Sequence, residues 1–466
     1  MLNLHRKCQI LNIQGHFYPF FFNTTYRMAA FAAVSFAEGI TFGAWLRALA
    51  APVANDGDET IAVGANSWGW GARTARLDVS AVAPDGNAGF NMHVFDDMNN
   101  GLSMGDEAIL WVKPMEMVKV SYGKHENNVL RGDACYGSWN WMRPNDAWID
   151  GGEGYLMSHN HQTGLMAEVT PMEGLYVQLF APINTNAVKA GTVYKNLQAG
   201  FAYTVPGTVK IKGQYIGKGA SSTDGTPAQA ATTGKWVDKN GDDYTYTGTT
   251  VMDYFDAVAA GYKYIPGTPA VAAADGADGN SNCTLEAEVD VLAVEGLSAG
   301  VGFQYNIVKD GNDKAEVDDD GNPVFERNMK VALAASYQVM PELKVSASGA
   351  FYTFYKYADV KIDPRFDAGV GIDYDLGDGL AANADFRYSS PIKVDGEKVD
   401  DTDHMAFSVG VVKSVSSNGS IGVAFQGITN SGSLAGTADG TGVIGKTKDG
   451  DVKFVWAVPV ALSVWF

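Results

Sequence analysis

Several short stretches carry residue types at spacings that could do chemistry, and each has a structural condition attached. Residues 440–447, GTGVIGKT, fit the phosphate-binding pattern GxxxxGK[ST]. That loop works only when a strand enters it and a helix starts at its lysine, so that backbone N–H groups converge on the phosphates. Here Lys448, Asp449 and Gly450 follow, and then a strand-like run begins, so no helix can start and nucleotide binding is rejected. GLSMG (101–105) and GLSAG (296–300) match the nucleophile-elbow pattern GxSxG. An elbow needs a strand-to-helix turn with a histidine and an acid as partners. Both stretches instead lie where a loop or turn feeds a strand, and chance matches are cheap in a chain with 54 Gly.

Metal chemistry has equally thin support. Asp238, Asn240 and Asp242 open like a calcium loop, but Asp243 stands where that loop needs Gly and Thr249 where it needs Glu; in the run Glu316, Asp318, Asp320, Gly321, Arg327 takes the last ligand position. His159 and His161 share a strand face without a third ligand nearby, which favours two polar residues over a metal site. Three cysteines, Cys8, Cys135 and Cys283, are too few for a disulfide scaffold and match no metal spacing; whether Cys135 and Cys283 pair is not legible. Arg131-Gly132-Asp133 spells an integrin-binding tripeptide within a long loop. No catalytic constellation, cofactor site or metal site emerges, and the expectation is a protein that is not an enzyme.

The elements around these motifs are more informative. From Val452 to Phe466 every even position is apolar, while Lys453, Val455, Ala457, Pro459, Ala461, Ser463 and Trp465 stand between. Side chains alternate across a strand, so this is a strand with one continuous apolar face. Pro459 cannot donate to a ladder and predicts a tolerated local defect or a bulge. The same alternation recurs at 40–47, 74–81, 90–94, 118–122, 196–204, 209–215, 284–291, 366–375 and 380–387, with charged residues on the face opposite the apolar one. A single such segment is half-buried in any sheet. Nine or more, with charges on the second face, predict a wall that is apolar on one side and wet on the other.

Composition agrees. No apolar run approaches the ~18–20 residues of a spanning helix, while 54 Gly and 53 aromatic residues (22 Phe, 21 Tyr, 10 Trp) suit many strands joined by turns. A net charge of −19 should repel nucleic acid. At the N-terminus, Met28–Ala37 (MAAFAAVSFA) follows Arg27 and ends in small residues, which predicts an export signal over residues 1–37 cleaved before Glu38, with Met28 as an alternative start. Residues 38–466 are then a single domain.

Tight turns are predicted at Asp85-Gly86, Pro114-Met115-Glu116, Pro171–Gly174, Pro206-Gly207, Glu295-Gly296, Pro341-Glu342, Gly377-Asp378-Gly379 and Asn418-Gly419. Between them lie long polar loops near 50–66, 96–105, 124–160, 181–194, 218–249, 309–328, 390–405 and 430–450. Short turns on one rim and long loops on the other predict an all-β, antiparallel, up-and-down transmembrane barrel. About 16–20 strands are expected, the upper figure requiring a weak strand near Thr268–Ala274. A barrel of that size leaves a lumen that side chains cannot fill. Its candidate lining residues are Arg47, Arg76, Asp78, Lys119, Lys210, Lys212, Glu286, Glu288, Asp290, Asp373, Asp375, Asp385 and Arg387. The loop Lys124–Asn160 is rich in aromatic and charged residues, among them Arg131, Asp133, Trp139, Trp141, Arg143 and Asp146. It either folds into the lumen as a constriction or packs on itself as an external lid, and both readings stay open.

AEGITFGAW followed by Arg47, together with LRGDACYGSWNWMR (130–143), resembles a family of spirochaete outer-membrane barrel proteins that are porin-like. Terminal Phe466 resembles the C-terminal signature by which bacterial outer-membrane barrels are sorted. The resemblance implies outer-membrane lipid as the surroundings, barrel assembly machinery as a partner reading the C-terminal strand, and passive diffusion of small hydrophilic solutes. It names no solute and leaves self-association into a homo-oligomer open. Acidic residues slightly outnumber basic ones among the candidate lining residues, which predicts a mild cation preference. The alternative is a surface adhesin or structural protein that displays loops on a barrel.

Overall fold

The computed structural model describes residues 39–57, 59–65, 73–97, 101–126, 129–133, 156–158, 161–183, 190–219, 235–237, 240, 243–244, 263–265, 281–308, 315–317, 323–356, 360–400, 402–430, 433–434, 443–444 and 454–466. The export signal, His159, the strand considered near Thr268–Ala274, Cys8 and Cys135 all lie outside them. Cys283 is a free thiol. Among the described residues, no helix is long and apolar enough to cross a membrane.

Nearly everything described is strand. In chain order these are β1 (Ile40–Asn55), β2 (Arg73–Val82), β3 (Ala88–Asp97), β4 (Gly101–Met115), β5 (Val118–Glu126), β6 (His161–Met172), β7 (Leu175–Ala181), β8 (Gln198–Val205) and β9 (Val209–Gly217). They continue as β10 (Cys283–Val291), β11 (Leu297–Ile307), β12 (Arg327–Met340), β13 (Leu343–Phe354), β14 (Arg365–Gly377), β15 (Leu380–Ser389), β16 (His404–Ser416), β17 (Gly419–Thr429) and β18 (Phe454–Trp465). Each pairs antiparallel with its sequence neighbours, and β1 pairs with both β2 and β18, so the eighteen strands close into a barrel without a free edge. The short strand Thr60–Ala65 pairs with the second half of β1 alone. Direct pairing of β9 with β10 keeps the alternation of short and long connections intact without a strand near Thr268–Ala274.

The order of burial is inverted relative to a water-soluble sheet. Along β10, Leu285, Ala287, Val289 and Val291 are exposed while Thr284, Glu286, Glu288 and Asp290 are buried. The same inversion runs along β18, where Val455, Ala457, Pro459, Ala461 and Ser463 point inward and Phe454, Leu462 and Val464 outward. Backbone closure explains how an apolar outer surface is tolerated, because every strand of the ring finds partners on both sides and leaves no open sheet edge.

All eight short turns occur where turn chemistry places them. Gly377, Asp378 and Gly379 all take positive φ (83°, 52° and 74°), which is why two glycines flank the one aspartate. Turn residues also reach across each gap between hairpins. The carbonyls of Gly39, Asn87, Met117, Gly174, Thr208, Gly296, Glu342, Gly379 and Asn418 accept from Val82, Lys113, Thr170, Thr204, Leu292, Gln338, Asp375, Ser414 and Trp465 respectively. These bonds stitch the short-turn rim into a complete ring, sealed where Phe466 and Ala44 exchange two backbone hydrogen bonds.

Two of the expected long loops are shorter than the sequence implies. Strand β1 runs through Ala50 to Asn55, and Thr60–Ala65 is also strand, so most of the polar-looking stretch 50–66 is ladder. Likewise β3 and β4 leave only 98–100 between them, because Gly101–Gly105, read as loop, is the start of β4. An irregularity is present at Pro459, but the extra residue is on the facing strand: between Ala50/Val460 and Val53/Val458 β1 takes three steps and β18 two, so Ala51 and Pro52 oppose Pro459.

Candidate functional site

Cross-strand register decides which charges meet on the inner wall. Lys210 lies opposite Asp290, Lys212 opposite Glu288, and Gln214 opposite Glu286, which in turn lies opposite Gln304 on β11. The Lys212 ammonium sits among three carboxylates, 2.7 Å from Glu288, 2.9 Å from Asp133 and 3.8 Å from Asp290, and so occupies the place a cation would take. Lys212 and Glu288 are both fully buried, where the attraction between opposite charges is weakly screened.

The long connection between β5 and β6 turns into the barrel at this sector. Asp133 N–H donates to Glu288 Oε1 (3.0 Å), and Lys212 Nζ donates to the Arg131 carbonyl (3.0 Å). On the returning arm, Ser158 donates to Glu286 through its N–H (3.1 Å) and its hydroxyl (2.5 Å). Glu286 also accepts from Gln304 (2.6 Å) and from Gln214. The two arms are joined by Leu156 N–H donating to the Asp133 carbonyl (2.9 Å). Leu130, Leu156 and Met157 are buried, and Leu156 packs with Ala332, Ala350 and Tyr352 on β12 and β13. The described arms, 129–133 and 156–158, lie against the inner wall. Trp139, Trp141, Arg143 and Asp146 lie outside the described residues.

A second charged group lies at the root of the same loop. Arg76 grips Asp78 with two bonds (2.6 and 3.2 Å) and reaches Asp106 at 3.6 Å. His93 Nδ1 meets Asp106 Oδ1 at 2.5 Å and lies 3.8 Å from Glu126, whose other oxygen meets Arg131 at 3.4 Å. The Arg47 guanidinium lies over the Trp45 ring, 4.2 Å from its centroid. Lys119 pairs with Glu168 at 2.7 Å. Farther round the barrel, Arg387 and Asp385 are buried together at 3.4 Å, Arg365 donates to the Ser390 carbonyl (2.9 Å), and Arg327 lies over Tyr352.

Twelve of the thirteen candidate lining residues therefore stand on the inner-facing side of their strands; Asp375 is exposed at the short-turn rim, where its carboxylate caps the Gly377 N–H (2.8 Å). Sequence reading missed Asp106 and Glu126 beside His93, Glu168 beside Lys119, and Arg327 and Arg365 farther round the barrel. Alternation around Glu168 and Arg365 carries a usable signal. Asp106 has none, because a bulge puts it on the wall: β4 takes four steps, Met104 to Ala108, where β3 takes two, Val94 to Met92. Val443–Ile444, inside the phosphate-loop match, is a short strand paired with Ser433–Leu434.

No protein-family model matches the chain, and no curated protein sequence matches it. Among solved structures it is similar to an anion-selective porin from Comamonas acidovorans, with 12% identity, a TM-score of 0.46, and coverage of 92% of this chain and 99% of that one. It is also similar to OccK11 (OpdR) of Pseudomonas aeruginosa, with 8% identity, a TM-score of 0.47, and coverage of 92% and 97%. Outer-membrane expressed OmpT of Vibrio cholerae is similar at 12% identity, with a TM-score of 0.39 and coverage of 93% and 99%.

Proposed function

We propose that this chain is an outer-membrane channel for passive diffusion of small hydrophilic solutes, with a mild preference for cations. The observation that carries this is the inversion of polarity in a closed barrel: charged side chains on the inner face of the strands and large apolar side chains on the outer one. Such a surface is stable only against lipid, and a ring of eighteen strands is wide enough to hold water. No covalent chemistry is required, since selectivity follows from charges along the path. The loop arms at 129–133 and 156–158 act as a constriction held against the acidic sector, with Arg131 and Asp133 at its edge.

The remaining features fit the same proposal. An export signal cleaved before Glu38 would deliver the chain, assembly machinery would engage β18, and the stretches AEGITFGAW and LRGDACYGSWNWMR support a spirochaete-type origin. Self-association in the membrane is compatible with it. The adhesin reading loses its motif, because Arg131-Gly132-Asp133 is engaged by Lys212 and Glu288 on the inner wall.

Reconstitution in planar bilayers tests the proposal. Stepwise conductance with a reversal potential displaced toward the cation equilibrium value is expected across a salt gradient. A folded barrel with no conductance would remove the channel, and a displacement toward anions would remove the cation preference alone.

A further inference from the structure

Three adjacent strands bring one imidazole and two carboxylates to a single point on the inner wall. His93 (β3), Asp106 (β4) and Glu126 (β5) each offer one ligand atom, and these atoms lie within 4.8 Å of one another. The donor set is mixed nitrogen and oxygen, the type that first-row divalent cations accept. A tetrahedral ion with bonds of about 2.0–2.2 Å needs donors about 3.3 Å apart. His93 Nδ1 lies 2.5 Å from Asp106 Oδ1 and 3.8 Å from Glu126 Oε2, values that bracket this spacing.

The surroundings are those of a supported site. Each carboxylate is approached on its other oxygen by an arginine, Asp106 Oδ2 by Arg76 at 3.6 Å and Glu126 Oε1 by Arg131 at 3.4 Å, which fixes which oxygen faces the histidine. On the far side of the ring, His93 Nε2 faces Asp78 Oδ1 at 3.7 Å, the position of a carboxylate that orients a ligating imidazole. Counting Asp78, Asp106 and Glu126 against Arg76 and Arg131 leaves one net negative charge before any ion arrives. The acidic sector at Glu288 differs in kind, since Lys212 already fills its centre.

We infer that His93, Asp106 and Glu126 form a site for a first-row divalent cation such as Zn²⁺ on the barrel's inner wall. Binding displaces the proton on Nδ1 and leaves at least one coordination position for water. Because Glu126 is the last residue of β5 and also holds Arg131, an ion there ties the root of the inward loop to β3 and β4.

The test uses the full chain refolded in detergent, titrated with Co²⁺ as a spectroscopic stand-in and then with Zn²⁺ in competition. One Co²⁺ per chain is expected, with visible absorption of four- or five-coordinate cobalt that Zn²⁺ abolishes. His93→Gln and Glu126→Gln should each lose the signal, and Asp78→Asn should weaken affinity roughly 10–100-fold, the usual effect of removing an orienting partner. Heat-modifiable migration on gels confirms that each variant folds; should His93→Gln not fold, Glu126→Gln and Asp78→Asn decide. Absence of stoichiometric binding, an octahedral spectrum, or binding unaffected in folded variants would overturn the inference. The readout is independent of conductance, so failure of the channel proposal and failure of this site are separable.

Discussion

Gly302 on β11 and Leu156 of the inward loop are packed backbone against backbone: a Cβ on Gly302 would collide with the Leu156 carbonyl oxygen. The wall is cut away at this residue to admit the loop. Gly302→Val is therefore expected to push the 156–158 arm off the wall and strain its bonds from Ser158 to Glu286, at a cost of about 1–3 kcal/mol for overpacking. Denaturant unfolding in detergent measures the loss. In bilayers, a displaced arm should change the unit conductance, whereas Gly191→Ala, where an added Cβ meets nothing within 4 Å, should not.

Lys212 is the shared counter-ion of the loop and the wall, which makes its removal more than a lost contact. Lys212→Met leaves Glu288 buried without its ammonium and is expected to destabilise by about 3–5 kcal/mol. Removing both charges, as in Lys212→Met with Glu288→Leu, should recover a substantial part, because the desolvation cost of the carboxylate disappears with it. Unfolding midpoints of the two variants compared with the parent check the order; a double variant as unstable as the single one would contradict it.

How legible these relationships were in the sequence depended on distance along the chain. Leu285 to Val291 announces strand β10, its apolar face and its acidic row, because period-two alternation is local. The turn at Gly377-Asp378-Gly379 was equally plain, since positive φ narrows the choice of residues. The meeting of Lys212 with Glu288 depends on register across a connection of 65 residues, 218–282, and alternation says nothing about register between strands so far apart. His93 and Asp106 meet through a bulge, which breaks the very periodicity used to assign faces. Leu130 and Leu156 left only a faint sign, two apolar residues in a polar loop, whose partners Gly200 and Gly302 are marked by a missing side chain.

Ala287 and Glu288 are consecutive, yet the first faces outward and the second is completely buried. A charge placed at the first position should thus fail where its neighbour carries one without harm. Ala287→Arg, mid-strand on the apolar face, is expected to cost about 2–4 kcal/mol of folding free energy in vesicles. Ala287→Leu should be close to neutral. Folding into phosphatidylcholine vesicles, read by heat-modifiable migration, distinguishes them; equal yields for Arg and Leu would mean that this face does not meet lipid.

Asp290 separates the electrostatics of permeation from those of folding. Its residue is only 5% exposed, neither oxygen receives a hydrogen bond, and Lys212 stays at 3.8 Å because it is committed to Glu288 and Asp133. A buried carboxylate in that position is costly, so Asp290→Asn is expected to leave the barrel as stable or to stabilise it by about 1 kcal/mol, the low end of what an unsatisfied buried group costs. The same change removes a negative charge from the acidic sector against which the proposed constriction rests, so the reversal potential across a salt gradient should move toward the anion side. Glu288→Gln carries the same change in formal charge but leaves the buried Lys212 ammonium facing a neutral acceptor in place of a carboxylate, so it should move the potential likewise while lowering stability. A loss of stability in Asp290→Asn, or an unmoved potential in both variants, would show that these carboxylates serve the packing of the loop and not the passage of ions.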